Sequence, residues 1–571
     1  MTETDGVSLN NVTHVRGNGS DNTAFELGDD FISVSGNNKR QAENARKGLS
    51  SYLSLVSKPI TAAEDYIKGH SQAFKLFVLG LLGAGYVGYF IAACVLDFQR
   101  AIALVVLTSL AIAAKSYELL KEHRGESISQ SVGLLVLWLV LDTSRRPEQL
   151  ISFGGVCMFV VLVFLLSAHR TAVTWRPVFW GLGMQFCIGL FIIRTQPGLI
   201  AFEWLGKQTF LEYTQAGSGF VFGNLINDIF AFQALPIVVF FSSVMSILYY
   251  LGIMQWLILK ISWCMQITMG TSPTETLSVA GNIFVGQTEA PLLIRPYLKN
   301  MTKSEIHAVM TGGFATIAGS VMGAFISFGI DASSLISASV MAAPCALAIS
   351  KLSYPETEES PFKDEKNIKV AAGDEQNILE AASSGASASI GLVANIAANL
   401  IAFLAILEFI NASFGWFGGM VGYPSITFQM ICSYVFMPVA FMMGIPYGES
   451  FTVAELIGTK LFLNEFVAYQ KLSGLKVNRV NGLDEIFEGK RQWISVRSEI
   501  ITTYALCGFA NLSSLGIMIG GLSSICPSRR GDISSMVLRA MITATCVSLI
   551  NACIAGILYV PLTDCVELGG I

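Results

Sequence analysis

Long apolar blocks with almost no charge constrain this chain more than any other feature. Such blocks run over Leu76–Leu96, Ile151–Leu166 and Ala231–Leu251. About 20 consecutive apolar residues are enough for a helix to cross a bilayer, where backbone N–H and C=O groups must be bonded within the protein. Only 13% of the residues are charged, against about 25% in soluble domains. The chain is therefore predicted to be an all-α polytopic membrane protein.

Residues 1 to 72 differ sharply from these blocks, because they are polar and rich in Asn, Ser and Gly. This composition predicts a disordered tail. Basic residues such as Lys58, Lys68 and Lys75 lie close to the first apolar block. By the positive-inside rule, they place the N-terminus in the cytoplasm. The 11 cysteines contain no CxxC pair and lie mostly in apolar runs, so they are interpreted as small buried hydrophobes.

Two stretches interrupt the apolar pattern with polar residues, one near 270–291 and one at 450–472. Each is too polar for a lipid-facing helix, and each is predicted to be a re-entrant helical hairpin buried in protein or lining a cavity. A Gly-Phe-Ala element follows each hairpin, at 313–315 and at 508–510, and a Ser-Glu-Ile triplet precedes each element. The order of one hairpin and two spans thus occurs twice. An odd number of spans between the copies would invert the second, as in many secondary transporters.

Glu289 and Glu465 are the first candidate site residues, because a carboxylate at membrane depth costs about 2.5 kcal/mol or more and usually faces a cavity. The alternative is a glutamate solvated at the interface near a hairpin tip. Their occurrence in two corresponding hairpins, beside amide or hydroxyl side chains, favours the functional interpretation. Gln287 has donors and an acceptor and suits a nucleobase edge, whereas an ionised Glu465 only accepts and suits vicinal hydroxyls.

Thr316 and Asn511 occupy the same place after the two Gly-Phe-Ala elements. The small residues around them permit a break in the helix, and freed carbonyls with a hydroxyl would suit Na⁺. Close helix packing is the alternative explanation of the small residues. Arg295, Lys460 and Arg497 are interpreted as structural ion partners or snorkelling residues. The sequence contains no Walker motif or nucleophile elbow, which argues against a primary pump and against an enzyme.

Three motifs resemble those of the concentrative nucleoside transporters: GNIFVGQTEAP at 281–291, NEFVAY at 464–469 and YALCGFAN at 504–511. The resemblance extends from about residue 73 to 558, and the spans before residue 145 resemble the extra helices of the eukaryotic branch. It implies a Na⁺-coupled symporter at the plasma membrane that imports purine and/or pyrimidine nucleosides such as uridine or adenosine. It also implies a homotrimer and no cofactor besides the co-transported Na⁺.

The resemblance assigns roles to individual residues. It implies that the base is contacted by Gln287, Thr288 and Glu289, with Val321 and Phe509 packed near it. It implies that Glu465, Asn511 and Ser514 bind the ribose. It implies that Na⁺ is held by Asn282, the carbonyl of Val285, Thr316 and the carbonyl of Ile317. Gly286, where some members carry serine, is like the broadly selective members.

The family fold implies about 11 transmembrane helices plus two re-entrant hairpins in an inverted repeat, divided into scaffold and transport domains. The predicted organisation is a cytoplasmic tail (1–72), extra N-terminal transmembrane helices (73–145), scaffold helices with an interfacial amphipathic helix (146–270), transport repeat 1 with hairpin 1 and two helices (271–352), a charged loop with a long scaffold helix and a connecting helix (353–444), transport repeat 2 with hairpin 2 and two helices (445–560), and a C-terminal tail (561–571).

Other functions remain open at the level of sequence. Proton coupling through Glu289 or Glu465 is the rival among transporters. A nucleoside receptor or channel that does not perform coupled transport is the alternative from a different class. Saturable, Na⁺-dependent uptake would separate a symporter from both.

Overall fold

The computed structural model describes residues 147–207, 213–223, 230–362 and 375–560. The predicted N-terminal tail, the extra N-terminal helices and the C-terminal tail lie outside these ranges. Within them the chain is almost entirely helical, as predicted. A short antiparallel pair, β1 (Ile486–Phe487) and β2 (Lys490–Arg491), lies where the sequence predicted a polar loop.

The helices are, in chain order, α1 (Pro147–Leu165), α2 (Trp175–Arg194), α3 (Gln196–Lys207), α4 (Tyr213–Phe222), α5 (Phe230–Tyr250), α6 (Ile253–Met269), α7 (Pro273–Gly281), α8 (Lys303–Ala315), α9 (Gly319–Ser327), α10 (Ala332–Ser353), α11 (Ile378–Met420), α12 (Phe428–Met442), α13 (Tyr447–Phe462), α14 (Glu465–Val480), α15 (Val496–Leu506), α16 (Leu512–Ile525) and α17 (Arg530–Leu558). Short 3₁₀ turns cover Arg170–Ala172, Ala290–Ile294, Leu298–Asn300 and Pro527–Arg529.

The described ranges contain six helices that are long and apolar enough to cross a membrane. Two further helix pairs pass the same test when each pair is taken as one bent span. The α5–α6 pair bends by 80°, and the α12–α13 pair by 117°. The apolar runs at 231–251 and 253–269 predict two separate spans, and the sharp bend between α5 and α6 lies next to Gly252, whose φ is +75°.

Burial separates the central helices from the peripheral ones. In the apolar stretch of each helix, 100% of the residues are buried in α8–α9, 94% in α10 and 89% in α17. The corresponding values are 28% in α1 and 12% in α11. Helices buried on every side belong to a protein core, and helices exposed along most of their surface face lipid or another subunit. The helices that follow hairpin 1, together with α15 and α17, therefore belong to the centre of the described structure, whereas most of α16 is not buried.

Both Gly-Phe-Ala elements interrupt helices, as the sequence predicted. The first break separates α8 from α9 at residues 316–318, and the second separates α15 from α16 at residues 507–511. In the first, the Thr316 hydroxyl donates to the carbonyl of Gly312 at 2.9 Å. In the second, Gly508 has a φ of +113°, a conformation that a helix cannot include.

The hairpins follow the prediction in outline and differ in extent. Hairpin 1 consists of α7, a turn and the 3₁₀ segment from Ala290, and hairpin 2 consists of α13 and α14. Hairpin 2 extends beyond the predicted 450–472 at both ends, because Pro446 precedes α13 and α14 continues through a polar segment to Val480.

Two predicted helices also have different bounds in the structure. The apolar run at 388–411 predicts a span, and this run is only the middle of the 43-residue α11, whose N-cap Asn377 accepts the amide of Glu380 with its side chain. Residues 197–215 predict one interfacial amphipathic helix. The structure describes α3 up to Lys207 and α4 from Tyr213, and residues 208–212 lie outside the described ranges. In both cases small or polar residues lie at the helix ends, so a run of apolar residues does not show where the helix begins and ends.

Candidate functional site

The tip of hairpin 1 is a tight turn that directs polar groups away from the helix. A capping box of Ser272 and Glu275 starts α7, which ends at Gly281. In the following turn, the amide of Gly286 donates to the Glu289 carboxylate at 3.1 Å. Gln287 is buried, and a Cβ placed on Gly313 would lie 3.0 Å from the Cβ of Gln287. The glycine of the first Gly-Phe-Ala element therefore lets the hairpin tip approach the broken helix.

The tip of hairpin 2 is joined to the second broken helix by side chains. Asn464 caps α14, and Glu465 follows in its first turn with 3% of its surface exposed. The amide nitrogen of Asn511 donates to the Glu465 carboxylate at 2.7 Å. The other amide atom of Asn511 accepts the backbone N–H of Ser514 at 2.8 Å and so caps α16. One asparagine thus starts the helix and orients the buried carboxylate.

The two helix breaks lie against each other. The amide of Phe509 donates to the carbonyl of Thr316 at 3.3 Å. A Cβ on Gly508 would lie 2.8 Å from the carbonyl oxygen of Ala315, which is shorter than any normal contact. This backbone approach brings the two repeats together at their interrupted points, where each has unpaired helix-terminal groups.

A single cavity gathers every residue expected to bind the nucleoside. Its lining includes Gln287, Thr288, Glu289, Val321, Glu465, Phe509, Asn511 and Ser514. Its volume is about 750 Å³ with the open space at its mouth included. Val321, Glu465, Asn511 and Ser514 are each at most 3% exposed. The buried polar groups are therefore already arranged before a ligand enters.

The two ends of this cavity differ chemically. At the hairpin 1 end, the carbonyl oxygen of the Gln287 amide is buried and has no hydrogen-bond partner in the described structure. At the hairpin 2 end, Glu465 and Asn511 present a carboxylate and an amide that already bond each other. A free amide beside the apolar Val321 and Phe509 suits a flat heterocycle, and the carboxylate suits hydroxyl groups.

One wall of the cavity comes from α11, which the sequence did not indicate. Leu392, Ile396 and Asn399 line the cavity. Their spacing of four and three residues places them on one face of the helix. The available signal was Asn399, a polar residue inside a long apolar helix, but the sequence does not show that this helix faces the hairpins.

A second cavity of about 580 Å³ lies on the other side of Glu289. It shares Glu289 and Leu392 with the first cavity, and Val285 also lines it. Hydroxyl groups of α5 and α11 face it, including those of Ser242, Ser246, Tyr249 and Ser389. Glu289 therefore lines both cavities.

Two of the residues expected to hold Na⁺, Asn282 and Thr316, both lie beside Gly312 in the last turn of α8. Asn282 is fully buried, and neither atom of its amide has a hydrogen-bond partner in the described structure. Its amide nitrogen is 3.2 Å from the place of a Cβ on Gly312, whose carbonyl accepts the Thr316 hydroxyl. Among the described residues, none donates to the carbonyls of Val285 or Ile317. A buried amide without a partner is costly, and a hard cation with oxygen ligands would satisfy its oxygen.

The charged residues interpreted as structural divide into two kinds. Arg497 pairs with Glu148 at 3.3 Å, as an ion partner should. For Lys460 the interpretation was wrong. Its side chain is 2% exposed and therefore does not snorkel, and it makes no ion pair with any residue of the described ranges. Its ammonium instead donates to the carbonyls of Ala505 and Cys507, at 2.9 and 3.2 Å.

Three family models match most of the described chain. Residues 154–225 match the Na⁺ dependent nucleoside transporter N-terminus, and residues 334–556 match the Na⁺ dependent nucleoside transporter C-terminus. Residues 231–332, which include hairpin 1 and the first break, match a gate model described as nucleoside recognition.

Curated relatives match over more than four fifths of their length. The chain is 59% identical over 549 residues to the Sodium/nucleoside cotransporter 1 of Mus musculus, covering 91% of this chain and 84% of that protein. It is 58% identical over 539 residues to the Sodium/nucleoside cotransporter 2 of the same species, covering 90% and 82%. A solved structure of CNTnw in an inward-facing substrate-bound state is 36% identical, with a TM-score of 0.66 over 72% of this chain and 98% of that one.

These matches agree with the motifs and with the geometry of the site. The apolar helices of this fold make the chain an integral membrane protein. The family models and the relatives together show that this chain belongs to the Na⁺-dependent nucleoside transporter family.

Proposed function

We propose that this chain is a sodium-coupled concentrative nucleoside symporter. The observation that carries the proposal is the single cavity in which the tips of both hairpins and both broken helices meet. Buried polar groups at the ends of discontinuous helices are the substrate sites of secondary transporters. Relatives named sodium/nucleoside cotransporters, 58–59% identical to this chain, support nucleosides and Na⁺ as the transported species.

In this proposal the nucleoside lies across the cavity with its base towards hairpin 1. Gln287 would read the edge of the base with Thr288 and Glu289, while Val321 and Phe509 would pack against its faces. The ribose would lie at hairpin 2, where Glu465 accepts hydroxyl protons and Asn511 and Ser514 complete the polar end. The free Gln287 amide oxygen and the buried Glu465–Asn511 pair support this direction of binding.

Na⁺ would bind at the first break, held by Asn282, Thr316 and the carbonyls of Val285 and Ile317. These ligands are neutral oxygens, so the ion would bring one net positive charge to the transport domain. Val285 and Asn282 belong to the same turn as Gln287 and Glu289. The ion would therefore hold this turn in the conformation that binds the nucleoside.

The movement that carries the substrate across is proposed to involve 271–352 and 445–560 as one transport domain. The scaffold would then comprise 146–270 and 353–444. The contrast between the buried α8, α10 and α17 and the exposed α11 supports this division. An α11 that is 12% buried also leaves a large apolar surface for lipid and for neighbouring subunits of a homotrimer.

The proposed location is the plasma membrane, with the N-terminus in the cytoplasm. The basic residues before the first apolar block support this orientation. An epitope tag placed before Thr2 should be labelled by antibody only after cells are permeabilised.

The test of the function is uptake of labelled uridine and adenosine into cells without nucleoside transport. We expect saturable accumulation above the external concentration in Na⁺, and its loss when choline replaces Na⁺. Na⁺-independent equilibration would contradict the coupling. Flux without saturation would indicate a channel, and ligand binding without flux a receptor.

A further inference from the structure

Lys460 is a buried cation at the helix break of the second repeat, and the proposed Na⁺ site lies at the helix break of the first. It lies in the last turn of α13, in hairpin 2, with 2% of its surface exposed. A buried ammonium without a carboxylate partner is expensive, so its surroundings must compensate for the lost hydration. Its ammonium donates to two backbone carbonyls at the end of α15.

The two repeats can be compared at the residue that precedes each Gly-Phe-Ala element. In the first repeat this residue is Gly312, and the Thr316 hydroxyl and the unpartnered Asn282 amide both lie beside it. In the second repeat the equivalent residue is Cys507, and the Lys460 ammonium donates to its carbonyl. Hairpin 1 thus places Asn282 near the first break, and hairpin 2 places Lys460 near the second.

Carbonyl oxygens at a helix C-terminus carry partial negative charge and favour a cation. In the first repeat, the groups at the break are neutral oxygens and an amide, and their charge would come from an exchangeable ion. In the second repeat, the chain supplies the positive charge itself. The Ser548 hydroxyl also donates to the Cys507 carbonyl, at 2.8 Å, and ties this arrangement to α17.

We propose that the Lys460 ammonium is a permanently attached cation in the second repeat, at the position that corresponds to the Na⁺ site of the first. Lys460 is then a positioning residue for transport. It holds hairpin 2 against the α15–α16 break, so that Glu465 and Asn511 stay aligned. The second repeat needs no exchangeable ion, and movement of hairpin 2 is not gated by ion binding. The correspondence rests on the proposed Na⁺ site, whereas the contacts of Lys460 do not.

A neutral capping role is the alternative, since a helix C-terminus can be capped by any donor. Lys460→Gln and Lys460→Arg separate the two, because both side chains donate hydrogen bonds and only arginine is charged. We expect the arginine variant to take up uridine about tenfold faster than the glutamine variant at equal surface expression, because donors with charge bond more strongly. If the arginine variant reaches the cell surface and the glutamine variant does not, that result also supports the need for charge. Equal behaviour of the two variants would overturn the proposal.

A cation-rescue experiment tests the same idea without transport. The purified full-length Lys460→Ala variant should regain thermal stability with propylammonium chloride, but not with choline chloride at the same ionic strength. Lys471→Ala is the matched control, since Lys471 is a half-buried residue of hairpin 2 paired with Glu455 at 3.1 Å. We expect no difference between the two salts for this control or for the natural chain.

Identical melting of Lys460→Ala in the two salts would overturn the proposal. Should that variant not fold, the glutamine–arginine comparison decides. If the natural chain shows no Na⁺-dependent uptake, the proposed symport fails, and the melting experiment still decides whether a cation is required at Lys460.

Discussion

At the scale of single residues, the site depends on side chains that have two tasks. Asn511 caps α16 and holds Glu465, and Thr316 closes the end of α8 while presenting its lone pairs at the proposed Na⁺ site. Substitutions that keep one task and remove the other therefore separate folding from transport.

Asn511→Asp keeps the cap and removes the donor. The aspartate can still accept the amide of Ser514, but it would place a second carboxylate where Asn511 donates to Glu465 at 2.7 Å. Because like charges in a buried site repel strongly, we expect uridine uptake to fall by about tenfold or more. Uptake at equal surface expression is the measurement. Asn411→Asp is the control, since Asn411 accepts the amide of Phe428 away from the cavity. Unchanged uptake by Asn511→Asp would contradict the ribose assignment.

Thr316→Val tests the Na⁺ assignment with a side chain of nearly the same shape. Loss of the hydroxyl should raise the Na⁺ concentration for half-maximal uptake by about tenfold, a loss of about 1.4 kcal/mol. Thr316→Ser keeps the hydroxyl and should remain close to the natural chain. The measurement is the Na⁺ dependence of uridine uptake at constant ionic strength. If valine and serine behave alike, Thr316 is not an ion ligand.

At the scale of elements, the contact between the two broken helices could not be read from the sequence. The breaks themselves were predictable, because Gly, Thr and Asn interrupt apolar runs at equivalent positions. The repeat also predicted that both hairpins belong to one site. One sequence does not reveal that Phe509 bonds to Thr316 across nearly two hundred residues, or that α11 lines the cavity. Lys460 was misinterpreted for the same reason, since its acceptors lie on another helix.

Gly508→Ala should disrupt this contact. Gly508 has a φ of +113°, and a Cβ there would lie 2.8–3.0 Å from backbone atoms of Phe314 and Ala315. Backbone strain of this kind costs roughly 1–3 kcal/mol, so we expect uptake to fall by about tenfold. Gly516→Ala is the matched control, because a Cβ on Gly516 has open space. Equal uptake by the two variants would show that the breaks can separate without loss of function.

The base of hairpin 1 is held by a buried ion pair. Lys351 of α10 lies 2.7 Å from Glu275 of α7, with side chains 7% and 1% exposed. Lys351→Met leaves a buried carboxylate and should destabilise the fold by about 3–5 kcal/mol. Lys303→Met is the control, since Lys303 is 48% exposed and its pair with Asp532 should contribute less than about 1 kcal/mol.

Thermal unfolding of the purified protein distinguishes these variants. The double variant Lys351→Met with Glu275→Gln should recover part of the lost stability, because it removes the unpaired charge. No recovery would mean that the lysine acts through its bonds to Ser304 and Glu356 instead.

At the scale of the whole molecule, ion and substrate are linked through one turn of the chain. Asn282 and Val285 belong to the proposed Na⁺ site, and Gln287 and Glu289 line the nucleoside cavity a few residues later. A ligand that orders this turn lowers the entropy cost of binding the other ligand. Coupling of this kind is reciprocal by thermodynamic necessity.

We therefore expect Na⁺ to raise the affinity for uridine, and uridine to raise the affinity for Na⁺ by the same factor, about 5- to 150-fold. Calorimetric titration of the purified protein, with each ligand in turn held at zero and at saturation, measures both factors. Thr316→Val should reduce the two factors together, because it weakens Na⁺ binding and does not change the lining of the nucleoside cavity. Independent binding would mean that the turn is already ordered and that coupling arises later, in the movement of the loaded domain. The glycine at 286 argues against an already ordered turn, since a turn without a side chain at its centre has more conformations to lose.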